Sequence, residues 1–232
     1  MRIFTPHREI PFAGHPSIGS AHAAIESGWA DPSRGRLVQE CGAGQLPIDI
    51  DIATGRRRLF VQAPGAAPVA HEIEDERTLL ALLGDLPLGP LPPVLMAGGR
   101  RWWLAEVASE AALRHWRPEV AAIAALARGS DALGLCLFAR SGTGEYDLCV
   151  RAFPCAIGID EDPASGAANS LLAAWIARRE PGGPLAHGFS VSQGREIGRD
   201  ARLELRIGAG GRIAVGGEVQ TVISGHLHWD GG

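Results

Sequence analysis

The sequence predicts an α+β fold of two similar β-rich halves, each wrapped around one helix. Three observations predict it. First, 31 glycines and 16 prolines stand among 232 residues, a turn-rich usage that suits strands better than a helical bundle. Second, residues 11–25 and 158–172 each join a glycine-containing loop to a run of small residues that reads as a helix. Third, several strand-like segments follow each of these runs, so the chain reads as an approximate internal repeat. With 46% apolar and 21% charged residues, the chain can build a packed core.

The elements follow in order. Residues 2–5 read as a strand stopped by Pro6. A helix is predicted to start near Ser17, with Pro16 near its first turn. Ala21, Ala23 and Ala24 let that helix sit close to other backbone, which fits a buried helix. Strands are predicted at 37–41, 46–52 and 57–62. The second alternates Leu46, Ile48, Ile50 and Ile52, the period of a half-buried strand. Arg56, Arg57 and Arg58 fit a solvated turn better than an anion site. Residues 75–83 form a short helix with acidic residues in its first turn, and 84–93 form a loop.

Trp102, Leu104 and Glu106 lie in an extended run, and Trp102 and Trp103 suit packing better than a ligand platform. Residues 111–128 are alanine-rich and helical, interrupted at Pro118, which sets the boundary between halves 1–118 and 119–232. Strands 133–139 and 146–153 flank the turn at 141–144. The second small-residue helix runs to about Arg179, with basic residues in its last turn. Residues 187–228 read as strands separated by glycine turns.

Composition removes several function classes. All 22 basic residues are arginine, so no lysine amine is present for Schiff-base, pyridoxal-phosphate or P-loop chemistry. The net charge of −4 lacks the basic excess of a nucleic-acid binder. Cys41, Cys136, Cys149 and Cys155 show neither C-x-x-C spacing nor a zinc pattern, and read as buried reduced thiols of a cytoplasmic protein. The first residues carry no secretory apolar run, and the apolar run 132–139 is too short to span a bilayer.

The two loops suggest one site. A helix N-terminus carries unpaired N–H groups and about half a positive charge. Two such ends facing each other would hold an anion, most simply a carboxylate. His15 stands by the first and Asp162 by the second, a pair suited to proton transfer over a bound acid. Each also has an ordinary reading: His15 as a partly buried turn histidine, Asp162 as a helix cap.

These residues resemble the PhzF family, the phenazine-biosynthesis-like group within the diaminopimelate-epimerase fold. Phe4-Thr5-Pro6 and Glu9-Ile10-Pro11-Phe12-Ala13-Gly14-His15-Pro16 are similar to its F-T-P and E-(L/V)-x-(F/L)-(A/C)-G-H-(P/A) segments. Glu161-Asp162-Pro163-Ala164-Ser165-Gly166-Ala167-Ala168 resembles E-D-P-A-T-G-S-A, and Ser192-Gln193-Gly194 through Gly198-Arg199 resembles S-Q-G-x-x-(M/L)-G-R. Val215-Gly216-Gly217 resembles a late V-G-G turn. The resemblance implies two similar domains, each a β-barrel-like sheet around a central helix, with the site between them. It implies isomerisation by proton transfer on a small carboxylic acid, without cofactor or metal, commonly in a homodimer. His15 and Asp162 match the family's site histidine and aspartate, and Gly14, Ser165, Gly166 and Ala167 match positions lining the substrate carboxylate.

Three departures qualify the match. Ala167 stands where the motif usually has serine. Ala13 and Ala164 stand where related two-thiol epimerases carry cysteine, which argues against a two-thiol racemase mechanism. The family's opening strand, helix and S-E-T-x-F-like motif, whose glutamate is the principal acid/base, have no counterpart; Glu9 and Glu26 do not sit in that motif. The first half is therefore expected to be N-terminally incomplete, with upstream codons encoding the rest and with weak or no turnover in these 232 residues. The competing expectations are a non-catalytic small-acid-binding short form and a subunit supplying half of a shared site.

Overall fold

The structure is a computed structural model that describes residues 1–4, 9–10, 12–52, 55–226 and 228. Thr5, Pro6 and Pro11 of the first motif lie outside the described residues, as does the end of the strand expected at 2–5. In chain order the elements are β1 (Ile3–Phe4), β2 (Glu9–Ile10), α1 (Gly14–Glu26), β3 (Arg36–Cys41), β4 (Gly44–Asp51), β5 (Arg58–Gln62) and β6 (Ala67–Pro68). There follow α2 (Ile73–Leu83), β7 (Val94–Gly98), β8 (Arg100–Glu106), α3 (Glu110–His115), α4 (Val120–Gly129), β9 (Gly134–Arg140) and β10 (Leu148–Phe153). The chain continues with α5 (Gly166–Arg179), β11 (Gly188–Gln193), β12 (Ala201–Ile207) and β13 (Ile213–Glu218).

β1 and β2 form a small antiparallel pair. All other strands join one 11-stranded sheet in the order β3-β4-β5-β13-β12-β11-β10-β9-β8-β7-β6. It is mixed: β8 pairs with β9 and β10 with β11 in parallel, the rest antiparallel. The sheet continues past residue 118 through the β8–β9 ladder, with Leu104 opposite Cys136.

Strand alternation sorts side chains onto two faces. On β10, Leu148, Val150 and Ala152 join the core around α5, while Cys149 and Phe153 join the core beneath α2, α3 and α4. Trp102 and Trp103 divide in the same way and are fully buried, the packing role the sequence suggested. Strands β7 to β10 are covered on both faces and read as apolar runs. Farther along, the outward face of the sheet carries charge. Arg58 bridges Asp51 and Glu204 at 2.9 Å each, and Arg206 lies over the Phe60 ring. Of the three arginines expected in a solvated turn, only Arg56 is largely exposed, because β5 begins at Arg58 and Arg57 turns toward His22.

α5 is the helix the core is built around; Ala168, Asn169, Leu172, Ala173 and Ile176 on it are fully buried. α1 is less enclosed than its small residues suggested: Ser17, Ala21 and His22 are its buried residues. Its start also differs, at Gly14 rather than near Ser17. Pro16 then falls in the first turn, where a missing N–H costs no intrahelical bond. Among the described residues strand structure ends at Glu218 rather than near 228; beyond it Thr221 bonds to His22 and Glu26 on α1. Among the described residues no helix is long and apolar enough to cross a membrane.

Candidate functional site

The segment leading into α5 is fixed bond by bond. Glu161 forms a bidentate ion pair with Arg151, both bonds 2.9 Å, with side chains 7% and 3% exposed. The same guanidinium donates to the carbonyls of Leu113 and Trp116, so the buried charge is fully paired. Asp162 donates its N–H to the Ala152 carbonyl at 2.8 Å, which pins the loop to the end of β10. Its carboxylate is half-buried. Oδ1 accepts the Ala164 N–H at 3.0 Å, and Oδ2 has no partner among the described residues. Asp162 is thus not the cap of α5. That role falls to Ser165, whose Oγ accepts the Ala168 N–H at 3.4 Å.

Gln193, at the end of β11, is fully buried beneath this loop. Its Nε2 donates to the Asp162 carbonyl at 2.6 Å, and its Oε1 accepts from Ser165 N at 3.3 Å and Asn169 Nδ2 at 2.8 Å. Asn169 Nδ2 also donates to the Ser165 carbonyl at 2.8 Å. Gly194 follows with φ +89°, and a Cβ there would sit 2.9 Å from the Pro163 carbonyl oxygen. Only glycine meets both conditions.

The first N–H groups of α5 can therefore be followed one at a time. Ser165 N–H goes to Gln193, Ala168 N–H to Ser165 Oγ, and Asn169 N–H to the Ser165 carbonyl. Gly166 and Ala167 have no partner for their N–H groups among the described residues. They are neighbouring donors at the positive end of a 14-residue helix. The start of α1 meets them: a Cβ built on Gly166 would lie 3.9 Å from the Gly14 Cα and 3.6 Å from Val215.

The expected residues thus distribute as follows. Gly14 and Gly166 lie near each other. Ser165 is buried and Ala167 exposed on either side of Gly166, and His15, next to Gly14, is exposed. Among the described residues His15 has no hydrogen-bond partner, and Asp162 stands four positions before Gly166. Residue-by-residue reading missed Gln193 and Asn169 beneath the loop and the Arg151–Glu161 pair behind it. Gln193 and Glu161 stood in the conspicuous segments, but a bond across 31 residues has no spacing signature.

Cysteine chemistry has no foothold here. Burial pushes the Cys149 thiol up to about 12 and that of Cys155 up to about 11, and raises Cys136 as well. These thiols stay protonated near neutral pH. Ala13 is the N-cap of α1, and Ala164 lies two residues before the start of α5.

Comparison with known proteins places the chain in a family. The trans-2,3-dihydro-3-hydroxyanthranilate isomerase of Pseudomonas aeruginosa is 32% identical over 222 residues, covering 92% of this chain and 72% of that protein. Antisense-enhancing sequence 1 of Schizosaccharomyces pombe is 28% identical over 97% of this chain and 78% of its own length. An uncharacterised isomerase of Bacillus subtilis, YfhB, is 27% identical over 93% of this chain and 74% of its own length. Among solved structures, the Bacillus anthracis phenazine biosynthesis protein of the PhzF family superposes with a TM-score of 0.77 at 24% identity, over 94% of this chain and 76% of that one. Residues 1–225 match the family described as phenazine biosynthesis-like protein, and the chain is a member of that PhzC-PhzF family, which has isomerases among its members.

Proposed function

We propose that the chain carries out isomerisation of the PhzF type: proton transfer on a small carboxylic acid, with no cofactor. The observation that carries this reading is the pair of N–H groups at Gly166 and Ala167 that have no partner among the described residues, set where the starts of α1 and α5 come close. A carboxylate placed there meets two donors and the positive ends of the helices. Gly14, Ser165, Gly166 and Ala167 line it. Asp162, with one carboxylate oxygen that has no partner among the described residues, and His15 exchange the proton.

These 232 residues contain no S-E-T-x-F-like segment, so His15 and Asp162 are the acid/base groups the reading has to work with, and turnover is expected to be slow. The same reading takes residues 1–118 and 119–232 as related halves flanking the site, and the protein as a cytoplasmic homodimer. The alternative, an acid binder without turnover, is favoured by one observation: among the described residues nothing orients the exposed His15 ring.

The test is deuterium incorporation at carbon, followed by NMR in D2O. The first acid offered is trans-2,3-dihydro-3-hydroxyanthranilate, named for the Pseudomonas relative, followed by other small carboxylic acids. The reading expects incorporation that is lost in Asp162→Asn. Binding without incorporation supports the alternative, and neither binding nor incorporation overturns both.

A further inference from the structure

We propose that Gln193 is a positioning residue of this site: its buried carboxamide sets where Asp162 stands relative to the anion-binding N–H pair. The proposal rests on the proton-transfer reading above for its kinetic part and on hydrogen-bond geometry for its structural part. Gln193 is fully buried and makes three bonds, all to the segment that opens α5. They cannot be satisfied with the carboxamide flipped, because Oε1 faces two donors and Nε2 faces a carbonyl. One side chain thus grips the loop at both ends, through the Asp162 carbonyl and the Ser165 N–H.

Two consequences follow. The separation between Asp162 and the start of α5 is set by the span of one amide group. In addition, by occupying the Ser165 N–H, Gln193 leaves Gly166 and Ala167 as the donors open to an anion. Gly194 closes the arrangement from behind, with its backbone against Pro163. Gln193 touches neither acid nor proton in this scheme; it acts through Asp162.

Gln193→Met keeps volume and removes all three bonds. Amide hydrogen exchange at Ser165 should then speed up about tenfold, the effect of losing one buried hydrogen bond. The saturating rate of deuterium incorporation should fall about 10²-fold, the cost of misplacing a reacting group by about an ångström. Half-saturation should stay within about threefold, because the Gly166 and Ala167 donors belong to the packed helix.

Ile176→Val, fully buried on α5 but well along the helix, is the control for lost stability: it should lower Tm and leave both readouts unchanged. Unaltered Ser165 exchange in Gln193→Met overturns the proposal. So does faster exchange with an unchanged incorporation rate, or an Ile176→Val variant that reproduces both effects. If the wild-type chain incorporates no deuterium into any acid, the proton-transfer reading fails separately, and Ser165 exchange alone decides whether Gln193 holds the loop.

Discussion

Gly14 and Gly166 lie close to each other, with room for one methyl group between them: a methyl on Gly166 would lie 3.9 Å from the Gly14 Cα. Each is the first residue of its helix, so two helix N-termini lie near each other although 152 positions separate them in sequence. That proximity is the basis of the proposed shared site. Its consequences can be measured.

Asp162→Asn should separate chemistry from stability. Asparagine Oδ1 can still accept the Ala164 N–H, so the loop keeps its turn. The charge and the proton acceptor are lost, and turnover should fall about 10²–10⁴-fold with Tm nearly unchanged. His15→Asn should act in the same direction. Asp160→Asn, outside the loop's bonding pattern, should match the wild type in the same assay.

The Arg151–Glu161 pair should behave as a buried ion pair. Glu161→Leu alone leaves a guanidinium with side chain 3% exposed and no countercharge, and should cost about 3–5 kcal/mol in urea denaturation. Arg151→Met combined with Glu161→Leu should cost less than either single change, because no lone charge remains. A double variant as unstable as the sum of the singles would contradict this.

Acid sensitivity has an identifiable contributor in Glu110. Burial by itself raises its pKa, but hydrogen bonds from Tyr146 and Ser141, together with Arg114, outweigh burial and hold it below the ordinary 4.5. A depressed carboxyl contributes stability that is present above its unfolded value and is lost as pH falls through the folded one. The urea midpoint of Glu110→Gln should therefore drop less than that of the wild type between about pH 6 and about pH 3. Equal drops would remove Glu110 from the account.

Thiol labelling should follow burial. Cys41, at the end of β3, is half-buried, whereas Cys136, Cys149 and Cys155 are buried. Iodoacetamide at about pH 8 should modify Cys41 first and reach the others only on unfolding. Mass spectrometry of tryptic peptides reads the order directly.

Much of this was legible in the sequence, and what was not shares one cause. The strand around Leu46, Ile48 and Ile50 comes from local pattern, although Ile52, the last residue of that run, lies past the end of β4 and is exposed. The packing role of Trp102 and Trp103 and the break between α3 and α4 around Pro118 are local as well. So is the start of α5 at Gly166, whereas α1 begins at Gly14, three residues before the start expected near Ser17. The parallel pairing of β8 with β9, the short β6 and the continuous sheet depend on partners distant in sequence, which no window reveals. Gln193 is the sharpest case. Its side-chain type is unremarkable for a strand end, and its role exists only because β11 ends beneath Asp162 and Ser165. α1 shows the opposite error: alanines suggested burial, but the helix packs mainly against β3, β5, β13 and α5 and leaves one side open.

The most direct test of the central claim is a titration of the 15N-labelled chain with a small carboxylate such as benzoate, read as amide chemical-shift changes. The account predicts a saturable response largest at Gly166 and Ala167, with His15 and Asp162 shifting together with them. Saturation centred elsewhere, or no response at these amides, would contradict it.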